Sequence, residues 1–136
     1  MKEETMTKVA VCGAHMSGLP LNGQLLMLGG RLVKQTTTAP CYRLYKLPEF
    51  IPPRPGLVRM TEGGTTIEVE VWELPIANYG AFVAAIPAPL GIGTLELVGH
   101  EPVQGFLCEA YATAQALDVS AFGGWRHYIE SIAVAK

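Results

Sequence analysis

A chain of 136 residues is long enough to bury one hydrophobic core without disulfides or metals. Its formal net charge of -2 excludes an electrostatic case for nucleic acid, because no basic stripe exists to neutralise phosphates. Charged residues make up only 16% against 49% hydrophobic, a sparse surface charge that favours a homodimer or a partner contact.

Met1 to Met6 is polar, and residues 1–7 are expected to form a flexible N-terminus ahead of a single domain over 8–136. The opening Met1-Lys2-Glu3-Glu4 does not read as a signal peptide, and none is expected. No apolar run reaches the roughly 18 residues that a bilayer demands, so no membrane contact and a cytoplasmic location are expected. Lys8 to Cys12 reads as the first strand, ended by Gly13. The loop Gly13-Ala14-His15-Met16-Ser17-Gly18 follows, in which glycines let backbone N–H groups approach a small anion closely. Its G-x-x-x-x-G spacing lacks the Lys-Ser/Thr of a phosphate loop, and Ser17 has no acid or base at motif spacing. Pro20 opens a helix with Leu21, Leu25, Leu26 and Leu28 on one face, stopped by Gly29-Gly30.

Arg31 to Thr37 and Cys41 to Leu47 alternate as strands, with Tyr42, Leu44 and Lys46 sharing a face. Pro48 to Pro55 is a loop, since prolines remove ladder donors. Leu57 to Met60 and Thr66 to Trp72 are strands around a Glu62-Gly63-Gly64 turn. In the second, Ile67, Val69 and Val71 share one face, and Glu68 and Glu70 read as solvated on the other. Pro75 starts a helix through Phe82 and Ile86, ended by Pro87 and Pro89. Leu90-Gly91-Ile92-Gly93 completes an apolar Pro/Gly turn expected to line one pocket with the Gly13–Gly18 loop. Thr94 to Val98 and Val103 to Tyr111 form a hairpin through Gly99-His100, and a last helix from near Ser120 buries Phe122, Trp125 and Ile129. Hairpins dominate, which indicates an α+β class with a barrel-like sheet.

Cys12, Cys41 and Cys108 are an odd number without close spacing, so buried, reduced thiols are expected. No metal-ligand spacing is present, and no cofactor is expected. His15 reads as functional, because a near-neutral pKa lets it move protons from an accessible loop. The alternative is a loop histidine that satisfies a backbone carbonyl. His100 and His127 read as solvated. Glu109 is either an outward strand residue or a partly buried acid with a raised pKa. Arg126 either reaches an anion or pairs on the surface.

Several stretches carry a resemblance over nearly the whole chain. They include Gly13-Ala14-His15-Met16-Ser17-Gly18-Leu19-Pro20, Thr38-Ala39-Pro40-Cys41-Tyr42-Arg43, Pro87-Ala88-Pro89-Leu90-Gly91-Ile92-Gly93, Gly105-Phe106-Leu107-Cys108-Glu109-Ala110-Tyr111 and Phe122-Gly123-Gly124-Trp125-Arg126. In these the chain resembles the C-terminal domain of allophanate hydrolase, here as a stand-alone chain. The resemblance implies a γ-glutamylcyclotransferase-like fold, a small mixed β-barrel with short flanking helices and a ligand pocket at the first strand's loop. It also implies a place in urea breakdown, taking N-carboxycarbamate onward to carbon dioxide and ammonia. The Ser-Ser-Lys machinery of the family's amidase domain is absent from this sequence, so the chain is expected to be an enzyme of lyase or hydrolase type but not itself an amidase. Where cyclotransferases carry their glutamate, this chain has Pro89-Leu90-Gly91-Ile92-Gly93, which argues against cyclotransfer.

The expected roles follow. His15 would donate a proton, with Glu109 orienting or protonating its imidazole. Backbone groups of Gly13, Ala14, Gly91 and Gly93 would hold carboxylate oxygens. Met16, Leu90 and Ile92 would line the pocket, and Arg126 would be a countercharge. The partners implied are a small anionic substrate and an allophanate amidase or urea carboxylase. A non-catalytic assembly role, or cyclotransferase-like work on another small amide or acid, are the rival readings.

Overall fold

The computed structural model describes residues 5–48 and 50–134. Its elements in chain order are β1 (Met6–Val11), α1 (Asn22–Met27), β2 (Arg31–Thr37), β3 (Tyr42–Lys46), β4 (Pro55–Arg59), β5 (Glu68–Pro75), α2 (Ile76–Ala84), β6 (Leu90–Leu97), β7 (Glu101–Cys108), β8 (Leu117–Asp118) and α3 (Trp125–Val134). β1 already pairs at Met6, opposite Pro75. Met6 and Thr7 therefore pair in the sheet, ahead of the strand start expected at Lys8. Residues 1–4 of the expected flexible N-terminus lie outside the described residues.

The larger sheet has the order β2-β5-β1-β7-β6, and the smaller the order β4-β3-β8. β1 runs antiparallel to β5 and parallel to β7, so its C-terminal end opens the site loop from the middle of the sheet. The expected barrel is not closed. A single bridge, Thr38 to Leu97, brings the chain after edge strand β2 against edge strand β6, which curls the sheet without completing a ladder.

Tyr42 and Leu44 of β3 are fully buried on one face, as their alternation predicts. α1 departs from its expected stripe: Leu25 is buried, but Leu26 is 57% exposed. A six-residue helix is under two turns long, so it cannot send four leucines into one core. Trp125 is buried as expected, whereas Phe122 is 43% exposed, at a short turn before α3 begins. β6 starts at Leu90, so the segment read as a Pro/Gly turn is strand, paired Leu90 to Cys108 through Gly93 to Gly105.

β5 carries the largest correction to the solvated-face reading. Val69 and Val71 are buried on one side, and Glu70 and Trp72 on the other. The second face is covered by the Ser17 segment and by Arg126 of α3, so alternation there marks two buried faces.

β1 and β7 approach closely at Ala10 and Gly105. A Cβ added to Gly105 would stand 2.9 Å from the Ala10 Cβ and carbonyl oxygen and 2.9 Å from the Leu95 side chain. Gly105→Ala is therefore expected to lower stability by about 1–3 kcal/mol, the usual range for overpacking. Chemical denaturation checks it, and an unchanged midpoint would show that the β1–β7 seam yields easily.

Candidate functional site

β1 delivers Cys12, Gly13, Ala14 and His15 to a small cavity closed by Arg54, Pro55, Leu90 and Phe106. Gly13 is required by close approach, since a Cβ there would lie 2.4 Å from the Pro55 ring. The loop is folded on itself by Met16 N–H donating to Gly13 O at 3.0 Å and Leu21 N–H to Ala14 O at 2.8 Å. Asn22 donates its side-chain amide to His15 O at 2.9 Å.

His15 is 4% exposed. Its ring meets Phe82 and Phe106 edge-on, at centroid distances of 5.4 and 5.0 Å. Its Nε2 lies 2.8 Å from Gln24 Oε1. That oxygen accepts from Nε2–H, which leaves Nδ1 as the basic nitrogen of the neutral ring. Burial pulls the His15 pKa below its ordinary value, against the Gln24 hydrogen bond, and the Arg54 charge pulls the same way. Arg54 is itself lowered by burial, and it packs over Phe50 at 5.5 Å.

Among the described residues, the N–H groups of Gly13, Ala14 and His15 have no protein acceptor. Buried backbone donors are almost always paired. Three such residues in succession line the same cavity as Arg54, a composition suited to negative oxygen. The cavity's volume is about 10 Å³, room for one water-sized body. A dicarboxylate would need a lining side chain to swing aside, and Arg54 is the long, half-buried one.

The cavity joins Gly13, Ala14, His15 and Leu90, four of the residues expected there. Met16 does not line it; its side chain is fully buried in the core. Gly91, Ile92 and Glu109 meet instead in a neighbouring open groove that shares only Leu90 as a wall, and Gly93 is a strand residue facing Leu107. Glu109 is exposed, because β7 ends at Cys108 and the chain turns away. The role of orienting the imidazole, expected of Glu109, falls to Gln24. Arg126 is not at the cavity. It donates to Ser17 O at 3.0 Å and to Glu70 Oε2 at 3.1 Å, so it is not the countercharge expected there, and the guanidinium that lines the cavity is that of Arg54. Arg54, Gln24 and Glu70 went unrecognised as site residues. Arg54 follows two prolines in a loop, and only the packing of β4 against the end of β1 reveals its place.

All three cysteines are free; Cys12 and Cys108 are buried, while Cys41, expected to be buried, is half-exposed beside an open groove. Burial pushes the Cys12 thiol up to about 12, which makes it a wall and not a nucleophile.

The family described as the allophanate hydrolase C-terminal domain matches residues 7–130. The chain is 39% identical over 132 residues to a urea amidolyase of Saccharomyces cerevisiae, covering 94% of this chain but 7% of that protein. Among solved structures it is similar to a Kluyveromyces lactis allophanate hydrolase, with TM-score 0.91 and 41% identity over 94% of this chain and 22% of that one. It is also similar to c4763, a uropathogenic E. coli-specific protein, with TM-score 0.86 and 36% identity over 93% of this chain and 97% of that one. An AIG2-like protein of Mus musculus, at 17% identity and TM-score 0.57, shares the fold alone over 81% of this chain and 80% of that one. The α+β, γ-glutamylcyclotransferase-like fold implied by the sequence is thus present, with an open sheet in place of a closed barrel.

Proposed function

The chain belongs to the allophanate hydrolase C-terminal domain family, and on that premise we propose that it decarboxylates N-carboxycarbamate in urea breakdown. The observation that carries this reading is one cavity lined by a buried imidazole, a guanidinium and three residues whose N–H groups have no acceptor among the described residues. N-carboxycarbamate is a dianion with two carboxylates on one nitrogen. Arg54 swings outward to admit the dianion; the loop N–H groups then hold one carboxylate and Arg54 the other, interactions that gain strength where water is excluded. The bond from nitrogen to one carboxylate carbon breaks, and its electron pair stays on nitrogen. His15 gives that nitrogen a proton, so carbon dioxide and carbamate leave. Water reprotonates the ring, and carbamate goes on to ammonia and carbon dioxide.

In the free protein burial disfavours the charged imidazole. A dianion beside it favours that charge, so binding carries a proton to His15. Malonate, in which CH₂ replaces the N–H, is a stable probe of this step. The wild-type chain is expected to bind malonate more tightly as pH falls from 8 to 6, with about one proton taken up by calorimetry. Arg54→Ala is expected to weaken binding at least tenfold, the scale of about 1.5–3 kcal/mol for a hydrogen bond to a charged group. Malonate binding that ignores both pH and Arg54 would refute the assignment.

In the relatives the matched region is one part of a longer chain, 7% of each urea amidolyase and 22% of the allophanate hydrolase. That arrangement supports association with an amidase or a carboxylase, the source of the substrate. Exposed Leu26 and Met27 on α1, 57% and 90% accessible, favour a covered surface, as in a homodimer. A cytoplasmic location belongs to the same proposal. No described helix is long and apolar enough to cross a membrane.

A further inference from the structure

Ser17 stands two residues beyond His15, and both its donors end on one buried carboxylate. Ser17 N–H donates to Glu70 Oε1 at 2.7 Å, and Ser17 Oγ–H to Oε2 at 2.8 Å. Trp72 Nε1–H donates to Oε1 at 3.0 Å, and Gln35 reaches Oε2 at 3.3 Å. Arg126 bridges the assembly, donating both to Glu70 Oε2 and to Ser17 O. Glu70 is only 2% exposed and accepts from β2, β5, α3 and the site loop together.

A fold needing only cohesion at this position would be served by apolar packing, which is often as stable as a buried ion pair. What the carboxylate adds is geometry. Two oxygens fix an N–H and a hydroxyl of one residue at once, and Arg126 fixes that residue's carbonyl. Ser17 therefore cannot rotate, and the chain back to Gly13 is held from both ends, by β1 on one side and by Ser17 on the other. The hydrogen bond from Met16 N–H to Gly13 O transmits that restraint across the turn.

We propose that Glu70 is a positioning residue that, through Ser17 and Arg126, aims the Gly13, Ala14 and His15 N–H groups and the His15 ring into the cavity. This deepens the reading of that cavity as a dicarboxylate site and rests on it. None of Glu70's hydrogen-bond partners lines the cavity, so its effect is relayed.

Amide hydrogen exchange and histidine-ring NMR on the full chain test it without any ligand. In Glu70→Gln the volume is kept, but one oxygen becomes a donor and the charge is lost. Exchange across Gly13–Gly18 is expected to rise at least tenfold, while Val9 in β1 and Val71 in β5 stay within twofold. The His15 ring resonances are expected to shift, and malonate affinity to fall at least tenfold. Ser17→Ala, which loses the hydroxyl and keeps the N–H contact, is expected to give the same pattern at a few-fold level. It carries the comparison if Glu70→Gln fails to fold. Unchanged loop exchange and unchanged His15 resonances in a folded variant would overturn the proposal. If wild-type protein binds no malonate but the loop still loosens selectively, the positioning role holds and the dicarboxylate reading fails.

Discussion

His15→Ala is expected to lower the rate of carbon dioxide release from N-carboxycarbamate by 10²–10⁴-fold, the usual contribution of a positioned general acid. The imidazole is the one titratable ring in the cavity, and Arg54 is held charged by its intrinsic basicity. The variant leaves a small void against Phe82 and Phe106, so its folding is checked by thermal melting alongside the rate. The pH profile carries a sign as well. The donor is the protonated ring, and burial lowers its pKa in the free protein. kcat/KM should therefore fall as pH rises through that lowered pKa, and kcat should hold to higher pH, because the bound dianion restores the proton. A His15→Ala chain with full rate would leave the reaction class standing and remove His15 from it.

Glu70→Ala is expected to destabilise the fold by about 3–5 kcal/mol, the scale for breaking a buried ion pair from one side. Truncation leaves Trp72 Nε1–H and Ser17 Oγ–H without an acceptor and Arg126 with an uncompensated charge. Urea denaturation measures the loss. A pH dependence accompanies it. Desolvation by itself would raise the Glu70 pKa, but the donors from Ser17, Trp72 and Gln35 outweigh it and hold the carboxyl below its ordinary value. A depressed folded pKa gives stability that is fully present above the unfolded value, about 4.3, and is lost as pH falls toward the folded value. The wild-type protein should therefore lose stability below about pH 4.3 more steeply than Glu70→Gln does. Parallel acid profiles would show that the Glu70 pKa does not change on folding and contradict the depressed value.

These two residues also show where the amino-acid pattern stops speaking. β2 was legible to its ends, because Arg31 to Thr37 carries the β-branched Val33, Thr36 and Thr37 and is bounded by Gly29-Gly30 and Pro40. Helix α2 was legible because Pro75 caps its start, with Phe82 on the buried face. Glu70 was not, since a charge alternating with valines carries the signature of a solvated face, and only the arrival of Ser17 and Arg126 covers it. Gly91 and Gly93 read as turn residues on local grounds. They sit in β6 because β7 pairs with them, and because the missing Cβ of Gly93 makes room for Leu107, whose Cδ1 would otherwise be 2.6 Å away. His15 was visible from its glycine-rich loop, while Gln24 and Arg54 reach it from a helix and a loop whose docking no spacing encodes.

The most direct measurement is carbon dioxide release from N-carboxycarbamate generated in place by an allophanate amidase, with and without this chain. Spontaneous decarboxylation is subtracted from both. The account predicts a rate that rises in proportion to the added chain, is lost in His15→Ala and is weakened in Arg54→Ala. A rate no higher with the wild-type chain than with the amidase alone would contradict it.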